Sequence, residues 1–300
     1  MHELKVTEIK TSGRRIWITK NPDEQACVIY ELPDDGQAWR TSNFVLEFGR
    51  QLKIQPQSGG LPAESITACV VTHRTTEDHL KKLFCKVSVN ELLEKKPESP
   101  LEIIGIFRDM VSLFKTGQLS NEEIRGVWGE LVAILSSADQ QCLCESWNRS
   151  ITAQYDFSHN TNHLEIKTTS NTEKIPTLSL RQCSVPTGNS CALVLIPAIE
   201  DQSGKTIHEL YEEIIELIVP TSDVAKRFTR MYVAKIKADF SNATLHRFDY
   251  TGAISSKSYF DMTHVPRPGS IPSEVVSLNF KVDLEGVERW DDRPVSALYQ

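Results

Sequence analysis

The chain has no long apolar run. Its longest, from Cys191 to Ile199, is nine residues and carries a proline, well short of the ~20 that cross a bilayer, so no membrane span is expected. The opening residues Met1-His2-Glu3-Leu4-Lys5 lack the basic segment and apolar stretch of a secretory leader, and the expected compartment is the cytoplasm. Seven cysteines form an odd set without framework spacing, which in a reducing compartment reads as buried thiols rather than disulfides. There is no Gly-x-Ser-x-Gly and no glycine-rich loop of the Walker type, which leaves serine-hydrolase and NTPase readings without support. An excess of basic charge is also missing: 33 Lys and Arg against 40 Asp and Glu give a net charge of −7. That argues against nonspecific coating of nucleic acid but not against a local basic groove. The one cationic cluster is Lys226, Arg227, Arg230, Lys235 and Lys237, whose simplest reading is a solvated helix-to-strand junction.

What is there is a chain of 300 residues, 40% hydrophobic and 24% charged, long enough for one large domain or two ordinary ones. Residues 1–97 read as a strand-rich domain, with candidate strands at 15–19, 26–32, 44–48 and 66–72 between turn clusters such as Ser58-Gly59-Gly60-Leu61-Pro62. Two short helices are expected at 77–85 and 88–96, and Lys95-Lys96-Pro97-Glu98-Ser99-Pro100 reads as the linker.

Residues 98–240 read as the core. Capping boxes open three helices, at Ser99 and Glu102, Ser120 and Glu123, and Thr206 and Glu209. The first is expected to close at Gly117, the second to run to about 136, and the third to stop at Pro220. The second carries Gly126 and Gly129. Glycine in a helix costs about 1 kcal/mol relative to alanine, which implies a close approach to that helix's backbone. Between them lie a hairpin at 152–168, a strand near 177–180 and an apolar strand at 191–196. A short helix at 222–229 and a strand at 231–236 follow, and residues 241–300 read as a strand-rich C-terminal region with an extended tail from Arg289. This order implies an α/β fold, a mixed sheet with helices on its faces.

The pattern with chemical content is Asp156 followed by Glu165-Ile166-Lys167. Two carboxylates can hold a hard divalent cation through oxygen, with an ammonium beside the water to be activated. Glu-x-Lys also occurs at Glu3, Glu8 and Glu94, so the string decides little and the register decides more. With Ser158 opposite His163, Tyr155 and Phe157 share a face with Leu164 and Ile166. The other face then collects Gln154, Asp156, His163, Glu165 and Lys167. Asp156 sits across from Glu165 with Cβ atoms roughly 4.5–5.5 Å apart, close enough to share an ion. The bland alternative is a solvated hairpin with a Glu165–Lys167 salt bridge. Glu130, at the margin of its helix's apolar stripe, is the further acidic candidate, while Trp128 and Trp147 read as core packing.

A resemblance joins these pieces. Gly126-Val127-Trp128-Gly129-Glu130-Leu131, Trp147, Tyr155-Asp156-Phe157, Glu165-Ile166-Lys167-Thr168-Thr169 and Leu178-Ser179-Leu180-Arg181-Gln182 occur in the order seen in the PD-(D/E)XK motif family, a branch of the restriction-endonuclease-like nucleases. The resemblance covers most of the chain, with Tyr155 standing where the motif's name has proline. It implies a restriction-endonuclease-like mixed sheet flanked by helices and a metal-dependent DNA endonuclease. Asp156 and Glu165 would bind Mg²⁺, or Mn²⁺ in its place, with the Ile166 carbonyl and Glu130 as further metal contacts. Lys167 would orient or activate the attacking water, and Glu130 and Gln182 match the family's remaining catalytic positions. It also implies DNA as partner, a partner ATPase or helicase of a restriction or anti-phage defence gene cluster, and a homodimer if both strands are cut. The alternatives are a catalytically silent scaffold of the same fold that binds DNA or a partner, and a zinc-binding structural protein. For the latter, Cys142-x-Cys144 and His159-x3-His163 supply suitable ligand types, although the cysteine spacing is shorter than the usual two to four residues.

Overall fold

The computed structural model describes residues 3–290 apart from 10–12, 57–62, 76, 112, 115–116, 149–152, 220–221, 238 and 273. The expected turn at Ser58 to Pro62, the Pro220 helix stop and the tail beyond Trp290 lie outside the described residues. The chain forms two compact units, residues 1–117 and 118–300.

In the first unit, β1 (Glu3–Ile9), β2 (Ile16–Lys20), β3 (Ala26–Glu31), β4 (Trp39–Arg40), β5 (Phe44–Pro56) and β6 (Glu64–His73) form one sheet in the order β1-β2-β3-β6-β5-β4. A parallel pairing of β1 with β5, Leu4 opposite Ile54, closes the ladder on itself, which leaves few open edges. β5 turns the corner through a register shift between Glu47 and Arg50. Gly49 there has φ +63°, and a Cβ on it would collide with Asp35 Oδ1, so glycine is the residue that fits.

One helix, α1 (Asp78–Lys95), replaces the two short ones expected, because Lys86 and Val87 between them carry no breaker and Val87 is buried with Phe84. Lys96 ends it in the left-handed conformation, its N–H donating to Leu92 O. α2 (Pro100–Val111) closes before Gly117 and belongs to this first unit. The division therefore falls after Gly117 rather than at the Lys95–Pro100 segment. Glu102 accepts from Glu98 N at 2.9 Å while its own N–H reaches Ser99 Oγ at 3.4 Å, a capping box displaced by one residue.

The second unit opens with α3 (Asn121–Leu135), capped reciprocally by Ser120 and Glu123 as expected, and α4 (Gln140–Ser146). Then come β7 (Phe157–His159), β8 (Asn162–Thr169), β9 (Thr177–Ser179), α5 (Leu180–Cys183), β10 (Ser190–Pro197) and β11 (Glu200–Lys205). They are followed by α6 (Ile207–Leu217), α7 (Asp223–Lys235), α8 (Phe240–Leu245), α9 (Tyr250–Ser256), β12 (Ser258–Asp261) and β13 (Asn279–Lys281). The sheet runs β12-β10-β8-β7, with β8 and β10 parallel and both outer strands antiparallel, and β9 pairs with β13 separately. This is the mixed α/β arrangement expected.

α3 packs on β8 through Gly129, where a Cβ would collide with Thr168 Cγ2, so this glycine explains the close approach. Gly126 has nothing within 4 Å of its would-be Cβ and plays no such part. Two expectations fail. Residues 231–235 continue α7 instead of forming a strand, because the helix capped by Ser222 buries Phe228, Met231 and Tyr232 on one face. Residues 241–288 are not strand-rich: Asp239 and Asp249 cap two short helices by accepting from Asn242 N and Gly252 N, and among the described residues only β12 and β13 are strands there.

Candidate active site

β8 lies inside the sheet, yet its two neighbours treat it differently. β10 pairs with it from Asn162 to Thr169, whereas β7 pairs only through Phe157–Leu164, Ser158–His163 and His159–Asn162. The expected register, Ser158 opposite His163, is therefore present. Before Phe157 the chain bends, and the Asp156 side chain takes the place of a strand: its Oδ2 accepts from Ile166 N at 2.8 Å. The bend also turns Tyr155, whose ring stacks on His163 with centroids 4.7 Å apart. Tyr155 therefore shares a face with His163 rather than with Leu164, against the strict alternation expected, because alternation holds only while the backbone stays extended.

The β10 pairing sets Glu165 beside Leu193 and His163 beside Cys191. The Glu165 side chain is 2% exposed, which removes the solvated-hairpin alternative. Its Oε1 accepts from Lys167 Nζ at 2.9 Å and from Gln182 Nε2. Its Oε2 is buried and has no hydrogen-bond partner. Gln182 comes from the one-turn helix α5, where its Oε1 also accepts from Ser179 N at 2.9 Å. The capping sequence Ser179-x-x-Gln182 was thus available as a signal for α5. Gln154 fastens the other side of this turn, donating to the carbonyls of Arg181 at 2.6 Å and Ser184 at 3.0 Å.

Glu130, from α3, is buried as well. Both its oxygens accept from Lys235 Nζ, at 3.0 and 2.7 Å, and its Oε2 also accepts from Trp147 Nε1. Lys235 stands 5.6 Å from the Trp147 ring centroid. Expected on a strand at a solvated junction, Lys235 instead lies on α7 and reaches inward. Three more of the basic cluster are engaged within this unit as well: Lys226 pairs with Asp223 at 2.8 Å, Lys237 with Glu123 at 2.5 Å, and Arg227 Nη2 donates to Trp147 O at 3.1 Å.

The electrostatics follow from burial and crowding. Burial, then Glu165 and Glu130, pushes the Asp156 carboxyl well above its ordinary range. Burial also pushes Glu165 up, against the pull of Lys167. Burial alone would lower Lys235, but Glu130 and then Asp156 outweigh it and raise the ammonium above its usual value. Carboxylates that repel one another and lack water are stabilised by a cation. The unpartnered Glu165 Oε2 beside Asp156 fits a hard divalent ion with oxygen ligands. Among the described residues no three His, Cys, Asp or Glu side chains gather closely enough to form one metal set, and both oxygens of Glu130 are already engaged by Lys235 and Trp147. The zinc reading fails on the same geometry: Cys144 is buried on α4, and both His163 ring nitrogens are taken, Nδ1 with Ser158 Oγ at 3.0 Å and Nε2 with Asn189 Nδ2 at 2.9 Å.

Among the described residues no helix is long and apolar enough to cross a membrane. Comparison with curated proteins and with solved structures finds no match. A family model described as "Putative PD-(D/E)XK family member (DUF4420)" matches residues 4–285, nearly the whole chain with Asp156, Glu165 and Lys167 inside it, and the protein belongs to that family.

Proposed function

We propose that the protein is a metal-dependent nuclease that hydrolyses phosphodiester bonds in DNA at the pocket of Asp156, Glu165 and Lys167. One observation carries the reading: Glu165 presents a buried oxygen with no partner beside a second acid, while Lys167 and Gln182 fasten its other oxygen. Asp156, Glu165 and the Ile166 carbonyl would hold Mg²⁺, with Mn²⁺ as substitute. When bound, such an ion polarises the phosphate and lowers the pKa of a coordinated water.

The chain's own groups supply the rest. Lys167, anchored to Glu165 Oε1 and 23% exposed along its side chain, keeps N–H groups to orient the attacking water and to meet charge developing at phosphorus. Gln182 holds the Glu165 carboxylate in one rotamer, and the Ile166 N–H does the same for Asp156. The net charge of −7 and the internal pairing of Lys226, Lys235 and Lys237 support loading onto DNA by a partner ATPase or helicase of a defence system in the cytoplasm. Cleavage of both strands would call for a homodimer.

The test is cleavage of supercoiled plasmid with Mg²⁺ or Mn²⁺ by wild type beside Lys167→Ala and Asp156→Ala. Metal-dependent nicking by wild type, lost with chelator and in both variants, is expected. If the biological effect of the protein survives in both variants, the scaffold reading replaces this one.

A further inference from the structure

Two buried glutamates in the second unit each hold a lysine, but only one has an oxygen to spare. Glu165 keeps Oε2 bare. Glu130 has none: Lys235 Nζ spans its two oxygens at 3.0 and 2.7 Å, and Trp147 Nε1 donates to Oε2. The Trp147 donor is fixed in place. Trp147 is fully buried, its ring packs on Phe228 with centroids 5.3 Å apart, and its carbonyl accepts from Arg227 at 3.1 Å. If Glu130 swung toward the ion, it would strand a buried indole N–H and a largely buried ammonium. The charge balance points the same way. Three carboxylates against two ammoniums, Lys167 and Lys235, leave one net negative charge, which a single divalent ion already reverses.

We propose that Lys235, with Trp147, holds Glu130 out of the metal's coordination, so that the pocket takes one divalent cation, on Asp156 and Glu165, and the Lys235 ammonium stands where a second would otherwise be drawn. This rests on the metal-site reading above and deepens it. Lys235 is then a positioning residue, acting through Glu130 rather than on the substrate.

The experiment is Mn²⁺ titration of the full chain without nucleic acid, followed by the electron paramagnetic resonance signal of free Mn²⁺. Wild type should bind one equivalent. Lys235→Met leaves Glu130 Oε1 without a partner and should bind a second equivalent, which mere loss of structure would not produce. The paired variant Glu130→Gln/Lys235→Met removes both charges together and guards against misfolding of the single one. Loss of support around a metal ligand costs about tenfold or more in affinity, so the paired variant should keep one equivalent within about threefold of wild type. Two equivalents in wild type, a single equivalent in folded Lys235→Met, or a loss of about tenfold or more in the paired variant overturns the proposal. Two equivalents in wild type would do so while leaving the nuclease reading intact. No Mn²⁺ bound by wild type would end both.

Discussion

Two interiors in this protein each bury a titratable group with an unsatisfied atom, and they resolve the problem in opposite ways. In the first unit His73 is 2% exposed, ringed by Phe44, Phe84 and Phe114 at centroid distances of 5.0, 5.1 and 5.3 Å, with Nδ1 unpartnered. Burial lowers its pKa to about 4, so it sits neutral in an aromatic core and gives up only a hydrogen bond. In the second unit Glu165 also leaves an oxygen unpartnered, but its surroundings are Lys167, Gln182 and the neighbouring acids, and two lysines retain the charge. An orphaned polar atom among rings is a core compromise. One among fixed charges is, on the function proposed above, where the metal would sit.

That contrast can be broken by substitution. The largest effect should be on rate: Lys167→Ala should lower metal-dependent plasmid cleavage by about 10³-fold, the scale of losing one group that stabilises developing charge, whereas His73→Leu should leave cleavage essentially unchanged. Equal losses in both would erase the distinction.

Next comes pH. The neutral form of His73 is favoured in the fold, so its contribution is complete above the ordinary value of 6.5 and is lost as pH falls toward 4, where the unfolded chain takes up the proton first. The first unit should lose about 3 kcal/mol across that window, seen by urea unfolding at stepped pH, and His73→Leu should flatten the dependence.

The smallest effects lie on α3 and have opposite signs. Gly129→Ala meets Thr168 Cγ2 and should cost about 1–2 kcal/mol by overpacking, with Thr168→Ser restoring much of it. Gly126→Ala meets nothing and should stabilise by up to about 1 kcal/mol through helix propensity. Thermal melts of the two variants moving in the same direction would remove the argument for a close approach at Gly129.

Much of this was legible locally. The caps at Ser120 and Thr206 formed as written, since a capping box needs only its own four residues. The turn between β7 and β8 likewise set Ser158 opposite His163. What local pattern could not show was where an extended run ends. The bend before Phe157 moved Tyr155 to the other face, and the apolar stretch at 231–236, which alternates like a strand, was carried into α7 by the helix already capped upstream. The inward reach of Lys235 and the donor bond of Trp147 had no signal of their own in the chain.

The order of residues by itself determined the elements that nucleate locally, the pairing of β7 with β8, and the family to which the protein belongs. The tertiary structure decided which acids are bare and which are paid in hydrogen bonds, because partners such as Lys235 and Glu130 lie far apart along the chain and meet only when α7 and α3 are folded. Burial then sets their charge states, since desolvation depends on everything packed around a group and on nothing in its immediate sequence.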